Sequence, residues 1–112
     1  MRIASIEAFP VRPRTLKEGY AEDGPWPARF PVFLVRVTTE DGRVGTGEAT
    51  SQVWYLGETG AQIRAALRLS DDARRGTDPA AIGVCHQRME AVYAGGMPGA
   101  RAARCGVDLA LH

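Results

Sequence analysis

A β-hairpin signal in the first half of the sequence constrains the fold more than any other feature. Residues 31–39 alternate in polarity as a strand does, and they place three apolar side chains at alternate positions: Phe33, Val35 and Val37. Residues 40–43 read Glu-Asp-Gly-Arg. An Asp-Gly pair favours a tight hairpin turn, because glycine tolerates the positive φ angles that such turns require. We therefore predict that residues 44–49 return antiparallel to the first of the two strands.

Another strand and a long loop precede the hairpin. Residues 2–11 alternate imperfectly and predict a strand, in which Pro10 favours an edge position or the strand end because it lacks an N–H. Residues 15–31 contain two glycines and three prolines and predict a loop. A loop of this length exceeds the usual connection, and long loops in compact domains are often functional lids.

Helical periodicity replaces strand alternation after the hairpin. We predict helices over residues 59–69, from Asp78-Pro79 to Gly95-Gly96, and from about Gly99 onward. Their inner faces would carry Ile63, Ala66 and Leu67; then Ile82, Cys85, Met89, Val92 and Tyr93; then Ala103, Val107, Ala110 and Leu111. Strands first and helices afterwards indicate an α+β fold, a three-stranded antiparallel β-meander followed by a bundle of about three helices. The 112 residues support one domain.

Composition excludes several classes of function. The net charge of +1 gives no electrostatic basis for binding nucleic acid or an acidic membrane. No apolar segment approaches the ~20 residues needed to span a bilayer, and the N-terminus lacks the pattern of a signal peptide. We therefore expect a cytoplasmic protein with neither a nucleic-acid nor a membrane partner.

The sequence carries no familiar catalytic motif. No serine lies in a Gly-x-Ser-x-Gly nucleophile elbow. Gly45-Thr46-Gly47 resembles the start of a dinucleotide-binding loop, but the third glycine and the surrounding βαβ unit are missing. We favour a packing role for Gly45 and Gly47, because they remove side chains from one face and let another backbone or a ligand approach closely.

Two cysteines and two histidines raise the possibility of a metal site. Cys85, His86, Cys105 and His112 do not have the spacing of a zinc site. We predict no metal site in this chain, with both cysteines as small residues facing the core and no disulfide between them. A small metalloprotein using Cys85, His86 and Cys105 stays open as an alternative.

Loop aromatics and one carboxylate are the candidate functional residues. Glu48 lies on a predicted strand, where a partly buried carboxylate could orient a site, although a structural hydrogen-bond acceptor is the more common role. Large aromatic side chains on loops either cover a ligand or fold back onto the core of the domain. The loop aromatics are Tyr20, Trp26, Trp54 and Tyr55.

An ordered set of segments resembles the N-terminal capping domain of the enolase superfamily, in the mandelate racemase/muconate lactonizing enzyme branch. The segments are RIASIEAFPVR, VRVTTEDGRVGTGEAT, YLGET, GTDPAAI and ARAARCGVDLALH, which span almost the whole chain. The sequence departs from the family at Thr46, where an aromatic residue is common. It also departs at residues 70–75, SDDARR, where many members are more apolar, so we expect that helix end to be solvated.

The resemblance implies that residues 1–112 form a capping domain in front of a modified (β/α)-barrel. The barrel would hold a divalent metal, usually Mg²⁺, and the bases that remove a proton next to a substrate carboxylate. Two loops, here residues 15–30 and 50–55, would close over the barrel and shape specificity, which makes Tyr20, Trp26, Trp54 and Tyr55 substrate-lid candidates.

The resemblance also sets what this chain should lack. A barrel needs ~200 or more further residues, so no catalytic residue of the family maps here and the 112 residues alone should be inactive. The apolar helical pattern reaching residue 112 suggests the front piece of a larger racemase, cycloisomerase or dehydratase, expected to be a homo-oligomer. The alternative is a stand-alone, non-catalytic interaction module.

Overall fold

The computed structural model describes residues 1–11, 32–50, 59–93 and 100–112. Within them the chain forms three strands and then three helices: β1 (Ile3–Val11), β2 (Val32–Thr39), β3 (Val44–Thr50), α1 (Gly60–Arg74), α2 (Ile82–Tyr93) and α3 (Arg101–Leu111). This order confirms the predicted α+β class. The predicted loop at residues 15–31 and the predicted glycine stop at residues 95–96 lie outside the described residues.

The strands form an antiparallel meander in the order β1-β2-β3. Its β2–β3 hairpin turns as predicted, with Gly42 at a φ of 87°. The Gly42 amide donates to the Thr39 carbonyl over 3.0 Å, and the Thr39 amide donates to the Arg43 carbonyl over 2.9 Å. Glycine is needed at this turn because a side chain would be strained at positive φ.

One face of the sheet is buried against the helices and the other faces solvent. Alternate residues of β2 point inward, and their partners on β1 share that face. Together with the inner faces of the helices they form one core, which includes Ile3, Ile6, Phe33, Val35, Val37, Ala49, Ile63, Leu67, Met89, Ala103 and Val107. On the opposite face Leu34 is 40% exposed and Val44 is 57% exposed.

The free edge of β1 is covered by the segment that follows α1. The Ile3 amide donates to the Thr77 carbonyl, and the Gly76 amide donates to the Ile3 carbonyl, each over 2.8 Å. The Ile6 amide donates to Asp71 Oδ1 over 2.7 Å. These bonds occupy groups that an uncovered edge strand would offer to another chain.

Helix α1 begins with a capping box and runs further than predicted. Thr59 Oγ1 accepts from the Gln62 amide, and Gln62 Oε1 accepts from the Thr59 amide, so two backbone donors at the helix start are satisfied. The prediction that this helix ends at residue 69 was wrong, since α1 continues to Arg74.

The expectation of a solvated segment at residues 70–75 was also wrong at two positions. Ser70 and Arg74 are fully buried, while Asp72 and Arg75 are exposed. Ser70 Oγ donates to the Ala66 carbonyl over 2.8 Å, and Arg74 Nε donates to the Cys85 carbonyl over 3.1 Å. Backbone carbonyls thus accept a hydrogen bond from each of these two polar side chains on the inner face of the helix, which a polar sequence pattern does not reveal.

The last two helices start slightly later than predicted. Asp78 Oδ1 accepts from the Ala80 amide over 2.9 Å, and this turn precedes the start of α2 at Ile82. Helix α3 starts at Arg101 rather than Gly99. Its small inner residues lie against β3, so this helix closes one side of the core.

Candidate functional site

Both candidate lid segments leave the sheet at the same end. Val11 at the end of β1 pairs with Val32 at the start of β2, and Val32 pairs with Thr50 at the end of β3. These three residues form one row across the sheet. The segment 12–31, which contains the predicted lid loop 15–30, joins the first two of them. The segment 51–58, which contains all of the predicted lid loop 50–55 except Thr50 of β3, starts from the third.

The start of α1 lies beside this same end of the sheet. Gly60, the first residue of α1, lines a cavity together with Pro10 of β1 and Phe33 of β2. The segment 51–58 therefore leaves the sheet at Thr50 of β3 and rejoins the described chain at Thr59, just before the α1 start that lies beside β1 and β2 at the same end of the sheet. A ligand approaching this end would meet the attachment points of both segments.

The four predicted lid aromatics lie within these two segments. Tyr20 and Trp26 belong to residues 12–31, and Trp54 and Tyr55 belong to residues 51–58, all outside the described residues. Their assignment as lid residues therefore stays a prediction. What the structure adds is that the segments carrying them are anchored side by side.

Glu48 does not form the partly buried carboxylate that the sequence suggested. It is exposed on the solvent face of β3, opposite Leu34 of β2. Its Oε1 accepts a hydrogen bond from Thr50 Oγ1 over 2.8 Å. Strand alternation explains this outcome, because Gly47 and Ala49 take the buried positions on either side. Glu48 thus has the structural hydrogen-bond role.

The Gly45-Thr46-Gly47 segment packs against a helix, as the packing interpretation predicted. A Cβ added at Gly45 would lie 1.8 Å from the Ala110 carbonyl oxygen, and one at Gly47 would lie 2.0 Å from the Gly106 carbonyl oxygen. Both oxygens belong to the backbone of α3. The glycines therefore make room for a neighbouring backbone of this chain.

The cysteines and histidines do not come together as a cluster. Cys85 is buried in the core and Cys105 is exposed on α3, so the prediction that both face the core was wrong for Cys105. Both thiols are free. Across residues 1–11, 32–50, 59–93 and 100–112, no group of three or more His, Cys, Asp or Glu is placed to hold a metal ion.

The histidines instead approach one carboxylate. His86 Nε2 of α2 lies 2.8 Å from Asp108 Oδ1 of α3, and His112 Nε2 lies 3.7 Å from the same oxygen. One turn along each helix, Arg104 pairs with Glu90. These two polar contacts link α2 to α3 on their outer side, and a structural role accounts for them.

A groove between β1 and α1 was not predicted from the sequence. Two cavities of about 470 and 560 Å³ share Pro10, Arg64 and Arg68 in their walls. The available signal was Arg64 and Arg68 four residues apart, which places both on one side of a helix. Sequence periodicity could not show that β1 would lie opposite them.

No protein-family model and no curated protein matches the chain. Solved structures, in contrast, share its arrangement of strands and helices. A protein of the mandelate racemase/muconate lactonizing enzyme type from Sorangium cellulosum is 30% identical, with a TM-score of 0.80 over 98% of this chain and 30% of its own. The dipeptide epimerase of Enterococcus faecalis V583 is 25% identical, with a TM-score of 0.77 over 99% of this chain and 28% of its own.

A third matching structure contains a metal ion. A mandelate racemase/muconate lactonizing enzyme relative from Roseovarius nubinhibens ISM, complexed with magnesium, is 25% identical, with a TM-score of 0.80 over 99% of this chain and 28% of its own. The described residues of the present chain offer no site for that ion.

These matches confirm the resemblance predicted from the sequence. The α+β fold of this chain is similar to part of the enzymes in the mandelate racemase/muconate lactonizing enzyme branch of the enolase superfamily. The chain spans less than a third of the length of the proteins it matches. Among the described residues, no helix is long and apolar enough to cross a membrane.

Proposed function

We propose that this chain is the capping domain of a larger enzyme of the mandelate racemase/muconate lactonizing type. The observation that carries the proposal is the match of 98–99% of the chain to only 28–30% of proteins in that branch. The remaining part of such an enzyme would be the barrel, and the barrel would be the main partner of this domain. The substrate would be a small molecule with a carboxylate.

In this proposal the capping domain contributes specificity and the barrel contributes the chemistry. The segments 12–31 and 51–58 are both anchored at the sheet end formed by Val11, Val32 and Thr50, so they can act on one ligand together. Lid closure over a bound substrate excludes water and completes the site. The residues proposed to contact substrate are Tyr20, Trp26, Trp54 and Tyr55.

In this proposal magnesium belongs to the barrel, and the relative that was solved with magnesium supports a role for this ion. A bound divalent ion would stabilise the negative charge that develops on the substrate when the proton next to its carboxylate leaves. Racemisation, epimerisation, cycloisomerisation and dehydration can all begin with that proton transfer. We propose that the intact enzyme performs one of these reactions as a homo-oligomer. Two free cysteines are consistent with the reducing cytoplasm as its compartment.

The first experiment measures the intact mass of the protein in its source cells. We expect a mass several-fold above the 12.1 kDa of these 112 residues, because a barrel requires ~200 or more further residues. A mass of 12.1 kDa would overturn the capping-domain proposal. It would favour the stand-alone, non-catalytic interaction module.

A second experiment tests the division of labour between the two domains. Exchange of the proton next to the carboxylate is followed by NMR in D₂O for a panel of N-acylamino acids, dipeptides and hydroxy acids. The 112-residue chain should give no exchange with or without Mg²⁺. The longer protein should give exchange that EDTA abolishes. Exchange catalysed by the short chain alone would contradict the proposal.

The lid role has its own test in the longer protein. Trp26→Ala and Trp54→Ala should change kcat/KM or the preferred substrate while barely changing the free energy of unfolding. Phe9→Ala is the matched control, because Phe9 lies on the solvent face of the sheet beside Arg36. A stability loss of about 3–5 kcal/mol for Trp54→Ala would instead indicate core packing.

A further inference from the structure

A groove runs between β1 and α1 above the edge of the core, and three buried core residues, Ile6, Phe33 and Leu67, form part of its floor. Its two cavities share Pro10, Arg64 and Arg68. One wall comes from the inner side of β1, where Ile6 and Ala8 line the groove. The opposite wall comes from α1, which contributes Ala61, Ala65 and Leu67 besides the two arginines. The first cavity is therefore lined mostly by apolar groups, whereas the second also contains Asp71 and is more polar.

The two arginines give this apolar groove a positive charge that the described chain does not neutralise. Arg64 and Arg68 are exposed, and neither forms an ion pair with a described carboxylate. Ion pairs with carboxylates are instead formed by Arg36, Arg43, Arg75 and Arg104. Like charges four residues apart on a helix repel each other, so the proximity of the two charges does not itself stabilise α1.

The carboxylate at the far end of the groove is already engaged. Asp71 lines the second cavity, but its Oδ1 accepts from the Ile6 amide over 2.7 Å and its Oδ2 accepts from Arg75. Asp71 therefore does not neutralise the charge of Arg64 or Arg68. The charge of the groove remains positive along the turn of α1 that carries both arginines.

The Phe33 ring at the other end of the groove holds the Arg64 guanidinium in position. The guanidinium carbon of Arg64 lies 5.6 Å from the centroid of the Phe33 ring. An arginine held over an aromatic face keeps its N–H groups available at the edge of the guanidinium plane, where they can meet a carboxylate in a two-pronged bond. Pro10 lies beside it as exposed apolar surface, while the Phe33 ring is buried beneath the guanidinium.

We propose that this groove binds a small amphipathic carboxylate, with the anionic group at Arg64 and Arg68 and the apolar part along Pro10, Ala61 and Ala65. Charge complementarity selects the anion, and the apolar walls select a ligand with a hydrocarbon body. The proposal does not depend on the capping-domain role, because it concerns only residues of β1, β2 and α1.

The test is a titration of the ¹⁵N-labelled 112-residue chain with hexanoate, followed by two-dimensional NMR. Saturable shifts are expected at the amides of Ala61 and Ala65 and at the Nε–H signals of Arg64 and Arg68. Hexanamide, which has the same shape without the charge, should bind about tenfold more weakly, because charge-assisted hydrogen bonds are roughly twice as strong as neutral ones.

Variants separate a specific site from general attraction to positive charge. The double variant Arg64→Gln/Arg68→Gln should weaken hexanoate binding by about tenfold or more, with an unchanged spectrum elsewhere showing that it is folded. Arg43→Gln removes one charge from the distant hairpin turn and should leave the affinity as it was. The absence of saturable shifts, equal binding of hexanamide, or an equal loss in Arg43→Gln would each overturn the proposal. None of these results bears on the mass and exchange experiments that test the capping-domain role.

Discussion

The backbone of β3 lies directly against the backbone of α3 where Gly47 faces Gly106. A Cβ on Gly47 would lie 2.0 Å from the Gly106 carbonyl oxygen, and a Cβ on Gly106 would lie 2.8 Å from Val35 Cγ2. Two glycines on different elements thus create one close approach, which brings α3 onto the sheet. Either side chain would have to displace backbone or core atoms, because protein interiors leave few voids.

We expect Gly47→Ala to destabilise the protein by about 1–3 kcal/mol or more, since the added methyl group meets backbone that cannot turn aside. Gly83→Ala is the matched control. Gly83 is the second residue of α2, and a methyl group added there would meet no atom of another element within 4 Å, so alanine should leave stability unchanged or raise it by less than about 1 kcal/mol. Urea unfolding of both variants checks the pair. Equal stability of the two variants would contradict the close approach.

Removing the Asp71 side chain should destabilise the domain, because the edge strand β1 then loses a hydrogen bond. Asp71→Ala leaves the Ile6 amide without the partner it has at 2.7 Å, and an unsatisfied, partly buried donor costs about 1–3 kcal/mol. Asp72→Ala removes the exposed neighbouring carboxylate and should change stability by less than about 0.5 kcal/mol. Thermal unfolding of the two variants under one buffer condition compares them. If both lose the same amount, the bond to Ile6 is not what stabilises β1.

The two thiols should differ sharply in reactivity. Cys85 is fully buried, and burial raises the pKa of its thiol, so little of the reactive thiolate forms. Cys105 is exposed on α3. Ellman's reagent should therefore label one thiol quickly in the native protein and both in denaturant. Cys105→Ser should abolish the fast phase. A fast phase that survives this substitution would show that Cys85 is accessible.

The hairpin turn should lower the pKa of Asp41 from the usual value of an aspartate. The hydroxyl of Thr39 donates to the Asp41 carboxylate, and the charge of Arg43 adds a smaller effect in the same direction. A lowered pKa in the folded state means that this contribution to stability is full above the usual aspartate pKa. It is lost as the pH falls through the lower, folded-state pKa.

An NMR titration of the Asp41 carboxyl checks this ordering of causes. Thr39→Val should raise its pKa most, and Arg43→Gln should raise it less, because the hydrogen bond is the larger of the two effects. A larger rise in Arg43→Gln than in Thr39→Val would show that the charge, not the hydroxyl, controls the carboxyl.

The strands and the hairpin could be predicted because their signals are local. The alternation of β2 and the Asp-Gly turn each involve residues within a few positions of one another, and both are present as expected. The end of α1 could not be predicted in the same way. Ser70 and Arg74 look like surface residues in the sequence, yet carbonyls of Ala66 and Cys85 accept their hydrogen bonds in the interior.

Part of the candidate site could likewise be predicted from the sequence, and part could not. An antiparallel meander requires the connection before β2 and the exit from β3 to lie at one end of the sheet, so the neighbouring anchors of the two lid segments follow from the predicted topology. A partly buried Glu48 and a core-facing Cys105 are not observed, because those hypotheses rested on residue type. Gly47 and Ala49 take the inner positions around Glu48, and Ala103 and Val107 take those around Cys105.

The sequence by itself determined the order of elements, the turn between β2 and β3, and the resemblance to the mandelate racemase/muconate lactonizing enzyme branch. Tertiary structure alone decided that α3 covers Gly45 and Gly47, that Gly76 and Thr77 close the edge of β1, and that Arg64 and Arg68 line a groove. The physical reason is distance along the chain. Turn chemistry and periodicity act between near neighbours, whereas close approach, edge pairing and grooves arise between residues that only folding brings together.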